Sequence, residues 1–251
     1  MDEKTIVEYV QDYVRENIGD FHENRIKKLE SLRLDTILRK KNPYLFKVKN
    51  LTTAPELVKS ILDAYLSSQE EGIFGNFLEG VAIFVSQKAS NGWKSSAEGI
   101  DLEFARDGVR YIVSIKSGPN WGNSSQINKM KDNFNQAKKI LRQTDKNMNI
   151  KAVNGCCYGR DSRPDKGTYY KYCGQKFWTF ISGNEQLYKE IIEPLGYSAK
   201  QKNEKFMKSY ATVVNKFTFS FMDRFCKDGV IQWEEIMRFN SAEKTPKQSP
   251  T

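Results

Sequence analysis

A chain of 251 residues with a formal charge of +9 is long enough to bury a substantial core and basic enough to suit a polyanionic partner. A single histidine argues against His-Asn-His nucleases, Ser-His hydrolases and histidine-based zinc enzymes. Four clumped cysteines are too few for a disulfide framework and no apolar run approaches a membrane span, so a cytoplasmic chain with reduced thiols is expected.

Met1 leads into DEKTIVEYVQDYV, which is acidic and amphipathic and unlike a signal peptide. IVEYVQDYV repeats apolar residues at helical spacing, and TAPELVKSILDAYLSS does so again, with Thr53 as its cap. Between them RKKNPYLFKVKNL carries an Asn-Pro turn signal and five basic residues, and reads as a solvated loop. A third helix over FGNFLEGVAIFVSQ is apolar on most sides, which predicts burial, yet Glu79 stands in its middle.

Two strands follow, IDLEF and YIVSIKS, then a helix over 124–143 with the stripe Ile127, Met130, Phe134, Ala137 and Leu141. MNIKAVNGCCYG and KFWTFISG read as two more strands, separated by a polar, tyrosine-rich loop, RDSRPDKGTYYKYCGQ. Residues 184–239 read as helices and NSAEKTPKQSPT as a frayed tail. This order predicts an α/β fold with a mixed β-sheet core flanked by helices.

Asp107-Gly108 is a two-residue hairpin signal. Counting back from that turn places Asp101 opposite Ser114, with Lys116 as its diagonal neighbour; Ile100, Leu102 and Phe104 then share the other face. A carboxylate, a backbone carbonyl and a lysine so placed can hold a hard cation and orient water, and they can equally form a structural ion pair.

These residues resemble a family. GIDLEF, a turn, then YIVSIKSGPNWGNSSQ is similar to the PD-(D/E)XK nuclease superfamily, and within it to type II restriction endonucleases. The likeness extends over roughly residues 40 to 190. It implies a restriction-endonuclease-like core and a Mg²⁺-dependent, homodimeric enzyme that cuts double-stranded DNA at a short palindrome, with a companion DNA methyltransferase and no membrane partner. It also implies a site in which Asp101 and the Ile115 carbonyl hold metal and Lys116 positions water. By this account 1–70 is a helical N-terminal region for dimerisation or DNA contact. Residues 71–240 are the nuclease core with C-terminal helices, and 241–251 a flexible tail.

Where the family carries its second acid this sequence has Ser114, a poor ligand for a hard cation. Some restriction enzymes are similar in this and recruit an acid from a helix. Glu79 ranks first for that role, ahead of Glu103, Glu98 and Asp132, because a carboxylate in an apolar helix needs a reason to be there.

After Lys116, the turn SGPNWGNSSQ offers Asn123, Ser124 and Ser125 at a helix start, suited either to a DNA phosphate or to an ordinary N-cap. Trp121 reads as a core residue or as a wedge. Arg160, Arg163, Lys166 and Lys171 make the long loop the expected recognition element, since arginine to guanine is the commonest specific base contact. Cys156, Cys157 and Cys173 read as buried free thiols, and His22 as solvated. Two rival functions stay open: a repair or junction-resolving nuclease, and a non-catalytic DNA-binding protein with a degenerate nuclease core.

Overall fold

The computed structural model describes residues 4–197 and 199–243, so most of the expected tail lies outside the described residues. Helices α1 (Ile6–Glu30), α2 (Leu34–Lys40), α3 (Pro43–Val48) and α4 (Ala54–Ser90) come first. Strands β1 (Trp93–Lys94), β2 (Leu102–Arg106) and β3 (Val109–Lys116) follow, then α5 (Ser124–Thr144), β4 (Asn149–Cys156) and β5 (Tyr170–Cys173). The chain continues with α6 (Gln175–Ser182), α7 (Leu187–Glu190), α8 (Ile192–Leu195), α9 (Ala199–Phe225), β6 (Cys226–Lys227), β7 (Val230–Ile231) and α10 (Trp233–Ser241).

The chain divides into two compact units, one of residues 1–21 and 71–199, the other of 22–70 and 200–251. Residues 6–21 of α1 group with the sheet, and the C-terminal helices from residue 200 group with residues 22–70.

In the first unit the sheet order is β1-β2-β3-β4-β5, antiparallel through β3 and parallel beyond it. Leu78, Val81, Ala82 and Val85 of α4 pack with Leu102, Phe104, Val113, Ile115 and Val153 on one face. Met130, Phe134 and Ala137 of α5 pack with Ile112, Ile150 and Ala152 on the other. That is the expected mixed α/β core between helices. Gly80 lets α1 approach closely, since a Cβ there would stand 2.5 Å from the Tyr13 hydroxyl.

Four local expectations change. KFWTFISG is not a strand but α6, whose Phe177, Trp178 and Ile181 are buried at helical spacing. The fifth strand is YKYC, inside the segment expected to be loop. The two helices expected between residues 53 and 87 are one, the 37-residue α4, with the Thr53 hydroxyl accepting from the Glu56 N–H as its cap. The basic run 39–51 contains α3, capped by the Asn42 side chain and opened by Pro43.

The second unit is helical, with Leu29, Ile37, Leu57, Leu62, Phe217 and Phe221 in its core. Its one departure from the expected helices is the β6–β7 hairpin, turned by Asp228-Gly229 with positive φ at both residues. Asp107-Gly108 has the same conformation, so both are two-residue hairpin turns of the same kind.

Candidate active site

The Asp107-Gly108 turn sets the register Arg106↔Val109 through Leu102↔Val113, as expected. One more rung would put Asp101 opposite Ser114. Instead the Asp101 N–H donates to the Val113 carbonyl at 2.9 Å, so Asp101 and Leu102 both oppose Val113, the arrangement of a β-bulge. The bulge corrects two expectations at once. Asp101 is not directly opposite Ser114, and Ile100 leaves the face of Leu102 and Phe104 to pack with Ile112 and Met130.

The bulge aims the Asp101 carboxylate along the end of the ladder. Its Oδ2 accepts the Ile115 N–H at 2.6 Å and the Ser114 hydroxyl at 3.5 Å. Val113 and Ile115 use their backbone groups towards Asp101, whereas the Lys116 carbonyl accepts from Cys157 N–H on the β4 side. By that alternation the Ile115 carbonyl leaves on the Asp101 side, past the end of β2.

Glu79, half-buried on α4, completes the corner. Its carboxyl is held above the usual range by burial and by the nearby Asp101 charge, while Lys94 and Lys116 oppose the shift. Asp101 is also raised by burial, against the Ile115 N–H, Lys116, the Ser114 hydroxyl and Lys94. Asp101, Glu79, Ser114, Ile115 and Lys116 are therefore neighbours. Among the described residues Glu79 and Lys116 make no hydrogen bond or ion pair; the ammonium of Lys116 instead stands 5.4 Å from the centre of the Trp121 ring.

The other three acids are placed differently. Glu103 is buried and takes two hydrogen bonds from Arg110 and one from Ser95, so its charge is already matched. Glu98 is exposed and pairs with Lys129, and Asp132 is exposed on α5.

The expected DNA-contacting residues form two segments tied together at the carboxyl ends of β3, β4 and β5. Lys171 Nζ donates to the Pro119 carbonyl at 2.8 Å, and the Tyr158 N–H to the Ser117 carbonyl at 3.1 Å. Asn123 is the N-cap of α5 in a reciprocal capping box with Gln126, and Ser124 and Ser125 are exposed in the first turn. Lys166 lies 3.0 Å and Lys171 3.9 Å from Asp161, which orders the loop, whereas Arg160 and Arg163 are exposed and make no side-chain ion pair among the described residues. Arg160 and Ser162 line an open cleft with Tyr158, Gln175 and Lys176.

Cys156, Cys157 and Cys173 are buried free thiols; burial pushes Cys157 up to about 12. His22 is half-buried rather than solvated, and burial with Arg25 and Lys202 nearby lowers it to about 4. Two members of the corner escaped the sequence. Lys94 sits on a two-residue strand that carries no signal. Asn154, buried in β4, interrupts the apolar run of NIKAVNGC, the same kind of signal that singles out Glu79.

In comparison with known proteins, residues 8–203 match the family model for Type II restriction endonuclease EcoO109I. No curated protein matches the chain.

Proposed function

The chain belongs to the family of the type II restriction endonuclease EcoO109I, and on that premise we propose that it cuts double-stranded DNA in a sequence-specific, Mg²⁺-dependent reaction. The observation that carries this is the corner at the end of β2 and β3. There two carboxylates from different elements, one raised by burial and by the other's charge, meet a lysine that has no ion-pair partner among the described residues.

The donor set suits a hard divalent cation. Among the described residues no three His, Cys, Asp or Glu side chains cluster for a metal. Asp101, Glu79 and the Ile115 carbonyl would hold it, with waters filling the remaining positions, as Mg²⁺ prefers. Such a cation, when bound, neutralises charge on the scissile phosphate and acidifies water. Asp101 is fixed in advance by the Ile115 N–H, so its carboxylate needs no reorganisation on substrate binding. Lys116 donates to the attacking water or to a phosphate oxygen, and Ser114 steadies Asp101 in place of the acid it replaces. Arg160 and Arg163 supply base contacts. A short palindromic site, a homodimer that cuts both strands, a companion DNA methyltransferase and a cytoplasmic setting complete the reading.

Purified protein with plasmid DNA and Mg²⁺ should give discrete fragments ending at one short sequence, and none with EDTA or with Lys116→Ala. Arg160→Ala or Arg163→Ala should reduce discrimination between that site and a one-base variant by about 1–3 kcal/mol. Cutting confined to branched or damaged DNA would replace this reading with a junction-resolving or repair nuclease. Binding without cleavage would replace it with a non-catalytic one.

A further inference from the structure

We infer that Trp121 is a positioning residue for Lys116, holding the ammonium over its indole face, and that buried Asn154 fixes the indole in that pose. The inference deepens the reading of the site given above and rests on it.

Lys116 ends β3, and its side chain leaves on the α5 side of the sheet, the side of Ile112. A lysine there would ordinarily sweep through many rotamers, since nothing in the described structure accepts a hydrogen bond from it. Its one directed contact is the Trp121 ring, 5.4 Å from Nζ to the centroid. An aromatic face holds a cation without consuming its protons, so all three N–H groups stay available for water or phosphate. A carboxylate in the same place would compete with the substrate for them.

The ring itself is anchored. Trp121 is half-buried against the α5 side cluster, and its Nε1–H donates to Asn154 Oδ1 at 3.0 Å. Asn154 is 1 % exposed and lies opposite Ser114 in the β3–β4 register. Its Nδ2 donates to the Ser114 carbonyl at 3.1 Å. One buried amide thus ties the strand that carries Lys116 to the turn that carries Trp121. A buried amide satisfied on both sides fixes geometry in a way an apolar residue of that size does not. On this inference Trp121 serves the site as well as packing against the α5-side cluster.

Three variants and one substitution series test the inference with the full-length protein and a duplex carrying the site that the wild type cuts. Trp121→Phe keeps an aromatic face and loses the anchor; Trp121→Leu loses both. The single-turnover cleavage rate should fall in that order, with the leucine variant lower by about tenfold or more, because small misplacements of a reacting group are costly. Duplex binding in Ca²⁺ should stay within about twofold, since cation–π loss leaves the phosphate contacts intact. Replacing tryptophan by mono-, di- and trifluorotryptophan weakens the aromatic face without changing its shape. Each fluorine should lower the wild-type rate by roughly twofold, and should have no effect in the Trp121→Phe background. A flat fluorination series would overturn the inference, as would equal slopes in the two backgrounds or a folded Trp121→Leu cleaving at the wild-type rate. If Trp121→Leu does not fold, the fluorination series decides alone. Lys116→Ala separates the two levels: undiminished cleavage by that variant sinks the site itself, whereas its inactivity with a flat series sinks only the role of Trp121.

Discussion

The two units treat charge in opposite ways. In the helical unit several charged groups are matched: Arg25 binds Glu70, Arg224 binds Asp35, and the Tyr210 hydroxyl donates to Asp63. The sheet unit matches Glu103 with Arg110 in the same manner. At the end of β2 and β3, however, it keeps Asp101, Glu79 and Lys116 close together with no ion-pair bond among them. Matched charges serve the fold. An unmatched cluster raises the energy of the folded chain and persists where a ligand completes it.

That contrast is broken or sharpened first at the carboxylates. Asp101→Asn keeps an oxygen for the Ile115 N–H and removes the charge; Glu79→Gln does the same at α4. Each should slow Mg²⁺-dependent cleavage by about 10⁴-fold, roughly 5 kcal/mol of barrier. The melting temperature should stay the same or rise, because burial opposes ionisation at both positions and the Asp101 charge adds to it at Glu79. A clear loss of stability with modest loss of rate would mean that the cluster holds the fold together instead.

The reverse experiment belongs to the helical unit. Phe221 is fully buried and packs against Phe225 at 5.3 Å between ring centres. Phe221→Ala should cost about 3–5 kcal/mol of stability. At about 2–4 °C per kcal/mol for a chain of this size, that is roughly 10 °C in melting temperature. Plotted as activity against stability, the variants of the two units should fall along different axes.

How much of this was legible from the sequence depends on how local each signal is. The Asp107-Gly108 turn fixes the register of a hairpin by itself, so Asp101, Ser114 and Lys116 could be brought together from the chain alone. The bulge at Asp101 could not, because it arises from the end of the ladder and from the carboxylate taking the Ile115 N–H. The stripe of α5 was readable because Met130, Phe134 and Ala137 repeat over several turns. KFWTFISG was misread because eight residues rich in aromatic and β-branched side chains suit a strand as well as a helix. YKYC, at four residues, is too short for alternation to stand out from its loop. Asn154 and Trp121 meet across 33 positions, a pairing that no local pattern contains.

The smallest effect tests a titrating group of the helical unit. His22 is half-buried with its pKa lowered to about 4 from 6.5, by burial first and then by Arg25 and Lys202. A histidine lowered on folding takes up its proton more readily in the unfolded chain. Its neutral form therefore costs nothing above about pH 6.5, and stability declines as pH falls through the window down to about 4. His22→Gln removes the titration. The variant and the wild type should melt together at pH 7.5 and diverge below pH 6.5, with the wild type lower. Because the ring is only half-buried, solvent screening takes much of the full linkage energy. The gap at pH 4.5 is expected near 1 kcal/mol, or about 2–4 °C. Both proteins carry the same carboxylates, so acid effects at Asp101 and Glu79 cancel in the difference. Parallel melting curves across the whole range would show that His22 titrates alike in the folded and unfolded chain, and that burial at this position carries no pH-dependent cost.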